Sequence, residues 1–182
     1  ATKLDISYDG NNAGLVASKR EGTPEGRFGL YGSMNYGEAT LLYFETGGSA
    51  EDTEVLAGAT YTFIEGATVC IEYFHNGGGY AGRPIWENLP PYRQMDQRET
   101  YFRRNYCLLQ VTDADIMTSL DIVIRWIAGL DDESNRIIGL FEYDVGDSGK
   151  IFVSGTMDSG AADQEFGALV RATAMAGVEI VF

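Results

Sequence analysis

The chain holds one histidine, His75, and two cysteines, Cys70 and Cys107, and that scarcity limits the covalent chemistry open to it. A nucleophilic triad sets a base between a nucleophile and an orienting acid. The only such base is His75, with Glu72 as its nearby acid, and no serine stands in a nucleophile elbow. The cysteines form no CxxC or CxxCH, so the sequence offers neither a zinc knuckle nor a haem attachment point, and it reads as carrying two separate buried thiols. Gly77-Gly78-Gly79 is not followed by the Lys-Ser/Thr pair of a phosphate loop. Asp9-Gly10-Asn11-Asn12 and Asp113-Ala114-Asp115 are oxygen-rich, but neither continues with the glycine and distal glutamate of a calcium loop, and turn chemistry explains both. The expectation is a chain that is not an enzyme and holds no metal or cofactor.

The remaining chemistry is charge arranged on a face. With Val178, Ile180 and Phe182 on one side of a terminal strand, period two puts Arg171, Thr173 and Glu179 on the other. The same counting gives Lys150, Ser154 and Thr156, then Arg136, Glu142 and Asp144, then Asp121 and Arg125, then Glu72, then Glu54, Thr60 and Thr62 on that second side. Charges of both signs on successive strands suit a water-filled lumen. Arg125, Arg136 and Arg171 read either as a basic ladder that favours anions or as wall braces paired with Asp121, Glu142 and Glu179; bracing is the preferred reading. Leu140, Phe152 and Leu169 on the same side show that the face is not uniformly polar. A second concentration lies in the segment 76–100, where Tyr80, Trp86, Tyr92, Arg83, Arg93 and Arg98 stand among glycines and prolines. A loop of that length is often functional, and Trp86, Tyr80, Arg83 and Arg93 are its candidate contacts to a sugar or a protein.

The elements that must position these groups read as consecutive hairpins. Leu4, Ile6 and Tyr8 alternate with polar residues down to Asp9-Gly10, and the chain returns through Lys19. Phe28 to Tyr36, Ala39 to Glu45, Val55 to Phe63 and Val69 to Tyr73 continue the pattern, each pair joined at a turn. After the long segment, Arg104 to Thr112 runs to a turn at Asp113-Ala114-Asp115. Leu120 to Trp126, Ile137 to Tyr143, Ile151 to Met157 and a last strand from about Phe166 to Phe182 follow. That makes about eleven strands, or ten if residues 1 to 20 are one strand. Aromatic-flanked tight turns at Tyr8, Tyr36, Phe63 and Tyr143 fall on alternate connections. The connections between them are longer or more polar.

Composition narrows the class. The 182 residues suffice for one domain, here 1–182, and 23 glycines with only 4 prolines suit short strands and tight turns. A net charge of −14 opposes binding to nucleic acid, whose phosphates require a basic face, and opposes peripheral attachment to anionic lipid. No apolar run reaches the ~18 residues of a membrane helix; the best, Ile122 to Leu130, is broken by Arg125.

Alternating strands, loops sorted by length, and the ending Gly177, Ile180, Phe182 together resemble a bacterial outer-membrane β-barrel of the porin type. The ending is similar to the insertion signal of that class, with Met175 where a polar residue is usual. The resemblance implies an all-β antiparallel transmembrane barrel, complete or the C-terminal part of a larger one. It further implies outer-membrane localisation, the lipid bilayer as partner, and passive passage of small polar solutes or ions. One alternative is a structural barrel whose lumen is plugged or holds a partner protein. A second is a soluble α+β protein, because Ile116 to Ile127 and Gln164 to Met175 also fit helical periodicity.

Overall fold

A computed structural model describes residues 2–19, 26–49, 52–82, 85, 101–116, 119–146, 148–168 and 170–180. Every named element is a β-strand: β1 (Thr2–Tyr8), β2 (Asn11–Lys19), β3 (Gly26–Tyr36), β4 (Thr40–Gly48), β5 (Thr53–Thr62), β6 (Thr68–Asn76), β7 (Asn105–Ile116), β8 (Leu120–Gly129), β9 (Asn135–Val145), β10 (Gly149–Ser159) and β11 (Ala172–Ile180). Each pairs antiparallel with the next, so the sheet order is the chain order. Among the described residues β1 and β11 have one neighbour each, and the sheet is open.

The first hairpin shows how sequence sets register. Asp9 and Gly10 both take positive φ, 49° and 74°, which a two-residue turn matching the strand twist requires at both central positions. Tyr8 therefore faces Asn11, and the ladder follows from Ser7 opposite Asn12 to Thr2 opposite Ala17. Residues 1 to 20 are thus not a single strand. Three other boundaries differ from expectation. Asp113 to Asp115 is not a turn: β7 runs through it with a register shift between Asp113 and Ile116. In the helical window Ile116 to Ile127, Ile116 ends β7 and Leu120 to Ile127 is strand, as β-branched Ile122, Val123 and Ile124 favour. The final strand begins at Ala172 rather than Phe166. Residues 160–168 form neither strand nor helix, because their backbone and side chains bond to neighbouring loops. An α+β reading has no support among the described residues.

Directly opposed residues share a face, so the register sorts every strand at once. One face carries Leu4, Ile6, Leu15, Phe28, Leu30, Met34, Leu42, Phe44, Ile71, Leu109, Val111, Ile124, Trp126, Phe141, Ile151, Val153 and Val178, all well exposed. Tyr8, Tyr36, Tyr61 and Tyr143 lie on it near the short turns, and Phe28, Tyr73 and Trp126 near the opposite end. From Leu120 to Trp126, which face Tyr143 and Ile137, the strand covers roughly 20 Å. The other face is polar to mixed, and its large residues lie over small ones. Tyr31 covers Gly14, Tyr43 covers Gly58 and Phe152 covers Gly177, each directly cross-strand. A Cβ at Gly58 would fall 2.5 Å from the Tyr43 ring.

Connections alternate between the two ends of the sheet, and the three longest share one end. Residues 9–10, 37–39, 63–67, 117–119 and 146–148 join strands at one end; 20–25, 49–52, 77–104, 130–134 and 160–171 join them at the other. The apolar core of the described chain is small and sits at the loop end of the polar face. It comprises Tyr106, Ile127 and Phe166, with Phe74, Tyr101, Leu108 and Ile138 packed against them.

Candidate functional site

The loop end of the polar face is closed over by three connections, and a buried acid organises them. Asp132, in the β8–β9 turn, and Arg103, just before β7, are both 0 % exposed. Asp132 Oδ2 accepts from Arg103 Nε at 2.9 Å and from the Glu165 amide at 2.8 Å. Its Oδ1 accepts from the Ser134 amide and hydroxyl at 3.0 and 2.7 Å. The Gln164 side-chain amide donates to the Asp132 carbonyl. Burial alone would push the Asp132 carboxyl upward, but the Glu165 and Ser134 donors and the Arg103 charge outweigh it and hold the group below its ordinary value. The neighbouring Asp131 anchors the start of β7, accepting from the Arg104 and Asn105 amides at 2.9 and 2.7 Å.

Glu165 is the opposite case. Its Oε2 accepts from the Tyr106 hydroxyl at 2.5 Å and its Oε1 from the Phe102 amide at 3.2 Å. Burial is the largest influence and raises its pKa despite these donors. Phe166 next to it is buried against Tyr106, with ring centroids 6.4 Å apart, and the Arg136 guanidinium stacks over its ring at 4.8 Å. Ile85 joins the cap through its amide, which donates to the Asp163 carbonyl at 3.1 Å. A hydrophobic plate fixed by a charge-paired hub is the result. Breaking a buried pair of this kind costs about 3–5 kcal/mol, because one charge is left without a partner.

All seven expected charged residues, Arg125, Arg136, Arg171, Asp121, Glu142, Lys150 and Glu72, fall on this polar face by register. Their partners differ from the expected braces. Arg136 grips Asp158 through Nε and Nη2, both at 2.7 Å, rather than Glu142. Glu142 bonds Lys150 at 3.3 Å, and Asp144 lies 3.8 Å from the same ammonium. Arg125 gives Nε and Nη2 to Gln110 Oε1 at 2.8 and 2.5 Å, not to Asp121. The arginines form no ladder, since Asp158 on β10 stands between Arg136 and Arg171. Acidic Asp121, Glu142, Asp144 and Glu179 gather toward the short turns, and the arginines lie toward the loops.

Between the cap and the sheet lies a cavity of about 410 Å³. Leu56, Phe74, Leu108 and Ile127 make its apolar wall, Tyr101 and Tyr106 come from the cap side, and Cys70, Glu72, Gln110 and Arg125 supply its polar groups. Glu72 accepts from the Tyr43 hydroxyl at 2.5 Å, and the Cys70 sulfur lies 3.2 Å from the same hydroxyl.

Other candidates separate. Glu72 lies on the polar face and His75 on the apolar one, as residues three apart in a strand must, so they do not converge. His75 Nδ1 instead meets Asn105 Oδ1 at 2.9 Å. Cys70 and Cys107 are free, half-buried and on opposite faces. Tyr80 bonds through its amide to the Phe102 carbonyl and forms an isolated bridge with Arg103. Trp86, Arg83 and Arg93 lie outside the described residues, as does Phe182 of the terminal signal. Gly177 gives room to the Phe152 ring, and Ile180 ends β11 exposed on the apolar face. Sequence reasoning missed Arg103, Asp132, Glu165 and Phe166. Their only signal was an acid beside an aromatic, Glu165-Phe166, and a doubled acid, Asp131-Asp132, both of which also read as ordinary strand or turn.

No protein-family model, curated protein or solved structure matches the chain.

Proposed function

We propose that the chain is wall material of a transmembrane β-barrel in the outer membrane of a Gram-negative bacterium, and that the barrel is a porin-like channel for passive passage of small polar solutes or ions. One observation carries this reading: the same face of all eleven strands is apolar and exposed, flanked by aromatic residues at both ends, while the other face is polar to mixed. Soluble monomers rarely expose contiguous apolar patches beyond a few hundred Å². A lipid-facing band about 25 Å tall with aromatic girdles has this organisation, and the three longest connections share one end, as the long outer loops of such barrels do. In hydrocarbon no strand edge can stay unpaired. The reading therefore requires β1 and β11 to pair with each other or through further strands.

Two measurements test it. The intact mass of the polypeptide from alkali-washed outer membranes should be near 19.9 kDa if this chain closes by itself, and larger if further strands complete the wall. Absence from the washed membrane would overturn the reading. The purified protein should then carry current in a planar bilayer. A second reading, a structural barrel with a plugged or partner-filled lumen, is favoured by the cap of 101–106 and 160–168 on the polar face. Insertion without current supports that one.

A further inference from the structure

We infer that the cavity beneath the cap is a binding site for a small amphipathic organic carboxylate. Arg125 is the reason. Its two hydrogen bonds go to the oxygen of a neutral amide, Gln110, so among the described residues its charge is oriented but not neutralised. Among the described residues it forms no ion pair, and its Nη1 donates to none of them. Arg136 on the next strand, by contrast, is fully matched by Asp158. A guanidinium held by one neutral acceptor at the wall of a half-open cavity presents a fixed fork to an anion, and the planar carboxylate fits that fork.

The rest of the cavity describes the body of the ligand. Leu56, Phe74, Leu108 and Ile127 offer an apolar wall, Tyr106 adds its ring from β7, and Tyr101 adds one from the cap. About 410 Å³ suits a compact molecule with one ring, within the usual range of ligand pockets. Glu72 shares the cavity lining from β6, with β7 between it and β8; the β6 and β8 backbones lie roughly 10 Å apart across two strand spacings, and one Glu72 oxygen is engaged by Tyr43. Glu72 is placed to accept a hydroxyl at the far end of the ligand. The site goes beyond passive passage, and it stands whether or not the apolar face lies in lipid.

Calorimetric titration of the full chain in detergent tests this, with 3-(4-hydroxyphenyl)propionate as probe and tyramine, the same ring on an ammonium, as comparator. The carboxylate is expected to bind at least about tenfold more tightly, the scale of one charge-assisted hydrogen bond. Arg125→Gln should lose that margin. Leu108→Trp, which fills the cavity and keeps the guanidinium, should lose binding as well. Arg171→Gln, on the same face outside the cavity, should not change it. Strand content by circular dichroism checks each variant, and Leu108→Trp decides alone if Arg125→Gln does not fold. Tyramine binding as well as the carboxylate, or undiminished binding in every folded cavity variant, would overturn the assignment.

Discussion

The two halves of this sheet handle their polar face differently. On β1 to β5 that face carries Lys3, Asp5, Ser7, Asn12, Gly14, Ser18, Ser33 and Asn35 with Val16, Leu41, Leu56 and half-covered Tyr31 and Tyr43; Lys3 and Asp5 form an exposed ion pair there at 3.2 Å. On β6 to β10 the same face carries Phe74, Tyr106, Leu108, Ile127 and Ile138, and loops fold back to bury them. The backbone ladder is alike in both halves. What differs is whether the connections at the loop end carry apolar side chains and an acid able to hold them down.

The difference can be broken most severely at Asp132. Asp132→Ala leaves Arg103 buried without its partner and should cost the cap about 3–5 kcal/mol. Hydrogen exchange should rise across 101–106 and 160–168 and stay unchanged in the β1–β2 hairpin. Phe166→Ala should cost about 3 kcal/mol by opening a cavity, whereas Ser7→Ala, exposed on the polar face of β1, should cost under ~0.5 kcal/mol. Equal denaturant midpoints for that pair would contradict the distinction between a packed and an unpacked half.

In the first half, strain rather than burial is the sensitive point. Gly58→Ala displaces the Tyr43 ring and should cost about 1–2 kcal/mol by overpacking, read as a lower urea midpoint. The cap also has a pH signature. Glu165, whose pKa is raised above 4.5 by burial, contributes its stability while protonated and loses it as pH rises through the folded value. Asp132, depressed below 3.8, contributes stability above 3.8 that is lost as pH falls through its lower folded value. Protection of the cap amides, corrected for intrinsic exchange, should therefore increase on acidification past Glu165 and collapse only once Asp132 protonates. Smallest of all, Lys3→Ala should shift the midpoint by no more than ~0.5 kcal/mol, since both partners are exposed.

Face assignment was legible without coordinates. Counting back by twos from Ile180 places Arg171, Lys150, Arg136, Asp121, Arg125 and Glu72 on one side, and the register agrees, because a strand has only two faces and each hairpin passes its phase to the next. Partner choice was not legible. Arg136 had Glu142 and Asp158 on the same face, and only the register of β9 against β10 sets Asp158 directly opposite it. The cap was hidden for a similar reason. Phe166 continues an apolar alternation into Val170, so periodicity assigns it to the last strand. Its place beside Tyr106 depends on Asp132 receiving the Glu165 amide from 33 residues away.

The sequence by itself pointed to the all-β class, the hairpin order and the division into an apolar and a charged face, and left open whether residues 1 to 20 turn at Asp9-Gly10. These follow from side-chain period and local φ preference, which act over a few residues. Tertiary structure alone decided that Arg136 pairs with Asp158, that Arg125 rests on Gln110, and that Arg103, Asp132 and Glu165 meet. Those outcomes depend on inter-strand register and on loops crossing a face, where the gain from each contact appears only after distant segments are already in place.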